Sequence, residues 1–153
     1  MDQDQTPNWV ERRSRRENRL RVQAPEAWNS IRGAVQDACE SYNAHYSSDV
    51  NTTVKCKLEN GHRIVVSRFM PANRVTTFQD RNPQIVIEYD SQSTTVTVAY
   101  DQPAGSQTFR ISADDQGVFI VDSKSRITAD RLSEKVLKDL FFSPPDPADD
   151  SED

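Results

Sequence analysis

The chain has 153 residues, 35% of them hydrophobic and 28% charged, and a formal net charge of −5. That length suits one domain, and the modest apolar share comes from polar ends around an aliphatic middle, residues 54–142. Two cysteines are too few for a disulfide scaffold, four glycines carry no phosphate-cradling loop, and apolar runs such as Ile64-Val65-Val66 are far too short to span a membrane.

Charge is unevenly placed. Residues 1–23 hold six Arg and four acids, and residues 143–153 hold five acids and no base. The body between them is left at −2. A near-neutral body with a basic head and an acidic tail does not fit a dedicated DNA-binding domain, which carries a base-rich surface. The opening residues lack the basic and apolar regions of a secretory signal. The expectation is a cytoplasmic chain with reduced thiols.

Taken in chain order, residues 1–8 are polar and expected to be disordered. Residues 9–22 are compatible with a helix. Their apolar members, Trp9, Val10, Leu20 and Val22, make no continuous stripe, so the segment is marginal unless something packs on it. Residues 1–24 are therefore read as an Arg-rich arm, partly helical or disordered. Pro25 suits the first turn of the next helix. Trp28, Ile31, Val35, Ala38 and Tyr42 then recur at helical spacing, which predicts an amphipathic helix over 26–46.

Strands follow. Val54, Cys56 and Leu58 alternate with Lys55 and Lys57, the period of a half-buried strand. Asn60-Gly61 signals a hairpin into a strand at 62–70. A three-residue loop, Glu59-Asn60-Gly61, would oppose Leu58 to His62, Cys56 to Ile64 and Val54 to Val66. Met70–Asn73 reads as a turn, 74–78 as a weaker strand and Asp80–Pro83 as another turn. Ile85–Tyr89 is a strong strand, Ser91–Ser93 a turn, Thr94–Tyr100 a strand, 106–112 a strand, Asp114–Gly117 a turn and 118–122 the last strand. Such short links favour antiparallel pairing as a meander. Thr128 is a good N-cap for a final helix bearing Leu132, Val136, Leu137, Leu140 and Phe141, stopped by Ser143-Pro144-Pro145.

The fold class is thus α+β: an N-terminal amphipathic helix, an antiparallel meander of six to seven strands and a C-terminal helix. One domain covers 25–142, and 143–153 forms an acidic disordered tail. That element order is shared by unrelated binding folds, cystatin-like and pleckstrin-homology-like ones among them, and does not decide function.

Chemistry-bearing motifs are sparse. His45 and His62 sit in no nucleophile context and read as surface histidines. Cys39 with His45, and Cys56 with His62, are each six apart, wider than structural zinc pairs, so both Cys read as small core residues. Asp114–Gly117 lacks the alternating ligands of a cation loop. Glu88 and Asp90 share a strand face and read as a solvated sheet edge. No cofactor or catalytic residue is expected.

The Arg run is different. If helical, Arg12, Arg15, Arg16 and Arg19 line one face, with Arg13 and Arg21 beside them. Guanidinium forks suit carboxylate or phosphate. Against a plain solvated helix stand an acidic protein partner, contact with the chain's own acidic tail, and, last, nucleic acid or anionic lipid.

Three functions are carried forward. The first is a non-catalytic binding module acting through protein contacts, including self-association at a sheet edge. The second is a small-ligand or enzyme domain with a pocket between sheet and helix lined by Trp28, Tyr42, Phe109 and Phe119. The third is anion or nucleic-acid binding through Arg12, Arg13, Arg15, Arg16 and Arg19.

Overall fold

A computed structural model of the chain describes residues 8–46, 53–69, 83–101 and 104–142. One long helix, α1 (Asn8–His45), precedes seven strands: β1 (Thr53–Glu59), β2 (Arg63–Phe69), β3 (Gln84–Asp90), β4 (Thr95–Asp101), β5 (Ala104–Asp114), β6 (Gly117–Asp122) and β7 (Ser125–Ile127). A second helix, α2 (Ala129–Phe142), ends the described chain. All seven strands pair antiparallel with their sequence neighbours in a single sheet. This is the expected α+β meander. The strand expected at 74–78 and its flanking turns, and the tail at 143–153, lie outside the described residues.

Strand alternation decides the layers. Val54, Ile64, Val66, Ile85, Ile87, Val96, Val98, Phe109, Ile111 and Ile120 point to one face and are buried. Both helices cover that face with Trp28, Ile31, Val35, Cys39 and Tyr42 from α1 and Leu132, Val136, Leu137, Leu140 and Phe141 from α2. Removing an Ile or Val of this kind from water contributes about 2 kcal/mol each. Ser133 Oγ donates to the Ala34 carbonyl at 3.3 Å, and the Phe141 ring rests 4.8 Å from that of Tyr42. The two helices therefore run side by side in the same direction. Thr128 caps α2 as expected, its hydroxyl accepting the Arg131 N–H at 3.1 Å.

Five expectations are corrected. The helix does not start at residue 26: α1 runs unbroken from Asn8 through Pro25. Proline there removes one hydrogen bond to the Arg21 carbonyl and crowds it, at about 3 kcal/mol. Arg21 and Pro25 are both exposed, so the freed carbonyl lies on the solvent side of the helix, while Leu20 and Ala24 dock on the core.

The β1–β2 register is shifted by two residues. Leu58 faces Ile64, Cys56 faces Val66 and Val54 faces Arg68, closed by the loop Asn60-Gly61-His62. A shift of two keeps every side chain on its expected face. Asn60 and Gly61 both take positive φ, which moves the turn one residue along. The strand at 118–122 is not the last, because Ser125–Ile127 adds β7 against β6. Glu88 and Asp90 lie on β3, an interior strand, not at a sheet edge. Thr94 belongs to the turn before β4, held at φ 51° by hydrogen bonds in both directions with Ile111.

Candidate functional site

The first eleven residues of α1, Asn8 to Asn18, are exposed all round. Helix rise places this segment about 16 Å long beyond the part that packs. The body starts at Arg19, whose Nη1 donates to the Asp114 carbonyl at the β5–β6 turn, and at Leu20, which touches the core. An arm with no core of its own is carried here as the continuation of a docked helix.

The arginines of the arm divide by partner. Arg13 Nε meets Glu17 at 3.0 Å and Arg15 Nη2 meets Glu11 at 3.7 Å, both one turn away. Such exposed pairs contribute a few tenths of a kcal/mol and break easily. Arg21 donates to Asn18 Oδ1 at 2.6 Å. Arg12 and Arg16 have no acidic partner among the described residues, and they stand one turn apart on one face. Trp9, 62% exposed, precedes Arg12, Arg13 and Arg16 by 3, 4 and 7 positions, which puts its ring on their side of the helix. The sequence signal for Trp9 is that spacing to the arginines, since Trp9 belongs to no apolar stripe.

Of the four residues expected to line a pocket, three share one packed cluster and Phe119 lies apart from them. Trp28, Tyr42 and Phe109 are all buried in one packed cluster. Trp28 stacks on Tyr89 at 5.4 Å, and Tyr42 lies against Tyr46 and Phe141. Phe119 pairs with Ser112 while its neighbour Ile120 pairs with buried Ile111, so Phe119 projects from the opposite sheet face. There the Arg126 guanidinium sits 3.6 Å from its ring centroid.

An open cleft of about 450 Å³ occurs elsewhere, between β6–β7 and the first turns of α2. Arg126, Arg131, Lys135 and Lys138 line it with Asp122 and Glu134. Most of its charge is compensated internally. Lys135 pairs with Asp122, Arg131 with Glu134 at 3.6 Å, and Arg126 with Asp114 at 2.9 Å. Asp114 is held below the usual carboxylate range first by the backbone N–H of Gln116 and then by Arg126. Its loop is thus a turn closed by its own hydrogen bonds and a salt bridge.

Both histidines are exposed, and each places Nδ1 2.9 Å from a nearby carbonyl, Ser41 for His45 and Asn60 for His62. Cys39 and Cys56 are free thiols that face each other across α1 and β1. The contact with Cys56, together with burial, pushes the Cys39 thiol far up, while Cys39 lowers that of Cys56. No three His, Cys, Asp or Glu side chains gather in a metal-binding group among the described residues. No described helix is long and apolar enough to cross a membrane. No protein-family model, curated protein or solved structure matches the chain.

Proposed function

We propose that the chain is a non-catalytic binding module that acts through protein contacts, with the Arg-rich first third of α1 as its contact surface. The observation that carries this reading is the exposed pair Arg12 and Arg16, with Trp9 on the same side, on a helix anchored at Arg19 and Leu20. Aromatic and Arg side chains are the residues on which interface energy concentrates. Because the helix is formed in advance, little ordering is needed at contact.

The partner is an acidic protein surface, a second copy of this chain included. Two considerations support that choice over nucleic acid. The net charge of −5 repels a duplex, and the run is interrupted by Glu11 and Glu17. The chain also carries a matching acidic stretch, Asp146 to Asp153, which makes a second copy of the chain one such partner.

Light scattering on size-exclusion fractions at about 0.05 M and about 0.5 M salt tests self-association, since exposed charge pairs are screened over that range. The reading expects a heavier species at low salt that dissociates at high salt and is absent in the double variant Arg12→Glu, Arg16→Glu. A strictly monomeric chain that also ignores acidic peptides counts against it. A second reading, a small anionic ligand in the cleft of Arg126, Arg131, Lys135 and Lys138, is favoured by Lys138, which has no acidic partner among the described residues. Calorimetry with inorganic phosphate, comparing Lys138→Ala with the parent, tests it: phosphate binding lost in the variant supports the reading, and no heat in either removes it.

A further inference from the structure

Asn43 on α1 and Val54 on β1 are joined by two hydrogen bonds. Asn43 Nδ2 donates to the Val54 carbonyl at 2.8 Å, and the Val54 N–H donates to Asn43 Oδ1 at 3.0 Å. Further along, the Gly61 carbonyl accepts from Trp28 Nε1 and from Arg32 Nη1. As β1 advances from Val54 towards Gly61, its contacts on α1 retreat from Asn43 towards Trp28. The strand therefore runs back along the helix.

This geometry brings two thiols level. Cys39 lies one turn before Asn43, about 6 Å along the helix. Cys56 lies two residues after Val54, on the same strand face, about 6.7 Å along the strand. Equal steps in the same direction place the sulfurs opposite each other. Cys39 is 3% exposed within the core, while Cys56 packs on that core but is only partly buried. Reagents thus meet Cys56 first.

We propose that Cys56 and Cys39 are an oxidation site for hydroperoxides, Cys56 reacting first and Cys39 resolving it to a disulfide that staples α1 to the edge strand β1. The Cys56 thiolate attacks one peroxide oxygen. An S–O bond forms, the O–O bond breaks, and the leaving oxygen takes a proton as water or alcohol. Cys56 is then a sulfenic acid. The Cys39 sulfur attacks it: the S–S bond forms, the S–O bond breaks, and hydroxide departs as water with the Cys39 proton. The two thiols give up two electrons, and the peroxide accepts them. Relative burial sets this order: the thiolate is the nucleophile, the partly exposed Cys56 ionises and meets peroxide more readily than the buried Cys39, and Cys39 keeps the proton that the departing oxygen takes. The inference does not depend on the role of the Arg-rich arm.

The test uses the full reduced chain under native conditions with hydrogen peroxide, read by intact mass and by thiol labelling. The parent is expected to lose both thiols together, with a mass lower by about 2 Da, and to remain a single chain on a non-reducing gel. Cys39→Ser is expected to accumulate a Cys56 sulfenic acid trapped by a 1,3-diketone probe. Cys39→Ala serves where the hydroxyl impairs folding. Cys56→Ser is expected to be inert until denatured. The proposal is overturned if the parent keeps both thiols until it is unfolded, if the product is a disulfide between two chains, or if Cys56→Ser reacts as fast as the parent.

Discussion

Trp28 Nε1–H donates to the backbone carbonyl of Gly61 at 2.8 Å, so the core-facing stripe of α1 grips the turn of the first hairpin by its main chain. The same indole stacks on Tyr89. Trp28→Phe keeps the ring and loses the hydrogen bond, for an expected loss of about 1 kcal/mol. Trp28→Ala also opens a cavity and is expected to cost about 3–5 kcal/mol. Urea unfolding followed by circular dichroism gives both values. Equal costs for the two variants would mean that the Gly61 contact, rather than the ring, carries the residue's contribution.

Asn43 acts on the neighbouring edge. Its amide satisfies both outward backbone groups of Val54, where β1 has no further strand among the described residues. Asn43→Ala leaves these groups without that partner, at about 1–3 kcal/mol. Asn43→Asp keeps the acceptor and loses the donor, so it falls between. Hydrogen exchange supplies the local readout: the Val54 amide is expected to exchange faster in Asn43→Ala, while the Ile87 amide in the sheet centre changes only with global stability.

Pro25 tests the continuity of α1. Pro25→Ala restores a hydrogen bond to the Arg21 carbonyl at an exposed position and relieves the ring contact. The expected gain is up to about 3 kcal/mol. The midpoint of urea unfolding is expected to rise with an unchanged denaturant slope. A lower midpoint would contradict a helix running through this residue.

Layering and topology were legible because they depend on simple periods. Alternation in Val54–Leu58 and in Ile85–Tyr89, and helical spacing from Trp28 to Tyr42, each assign a face directly. What was not legible depended on contacts distant in sequence. The Arg-rich segment is part of one helix because Arg19 and Leu20 meet a turn and a core assembled almost a hundred residues later. The first hairpin could close one residue later without moving any side chain across the sheet, so hydrophobic pattern alone did not choose the register. Aromatic character alone does not set the side of the sheet: Phe119 alternates with Ile120 and so projects from the face opposite Phe109.

Asp114 gives a pH dependence whose sign follows from its partners. Its carboxylate accepts the N–H groups of Gln116 and Gly117 and pairs with Arg126, which holds its titration below the ordinary value of 3.8. A group lowered on folding stabilises fully above its unfolded value, and that contribution fades as pH falls through the folded value. Asp114→Asn is therefore expected to be less stable than the parent at neutral pH, with the gap closing in acid. Thermal midpoints of both chains from neutral pH to about pH 2 would show this. A gap of constant size across that range would remove Asp114 as its source.

The central claim is that Arg12 and Arg16, beside Trp9 on a preformed helix, receive an acidic segment of another molecule. The most direct measurement titrates the full chain with a synthetic peptide of residues 143–153 and follows tryptophan emission, in which exposed Trp9 responds while Trp28 stays buried. The account predicts a saturable change that weakens from about 0.05 M to about 0.5 M salt and disappears in Arg12→Glu, Arg16→Glu. An emission spectrum unmoved by the peptide at low salt, or the same response from the charge-reversed chain, would contradict it.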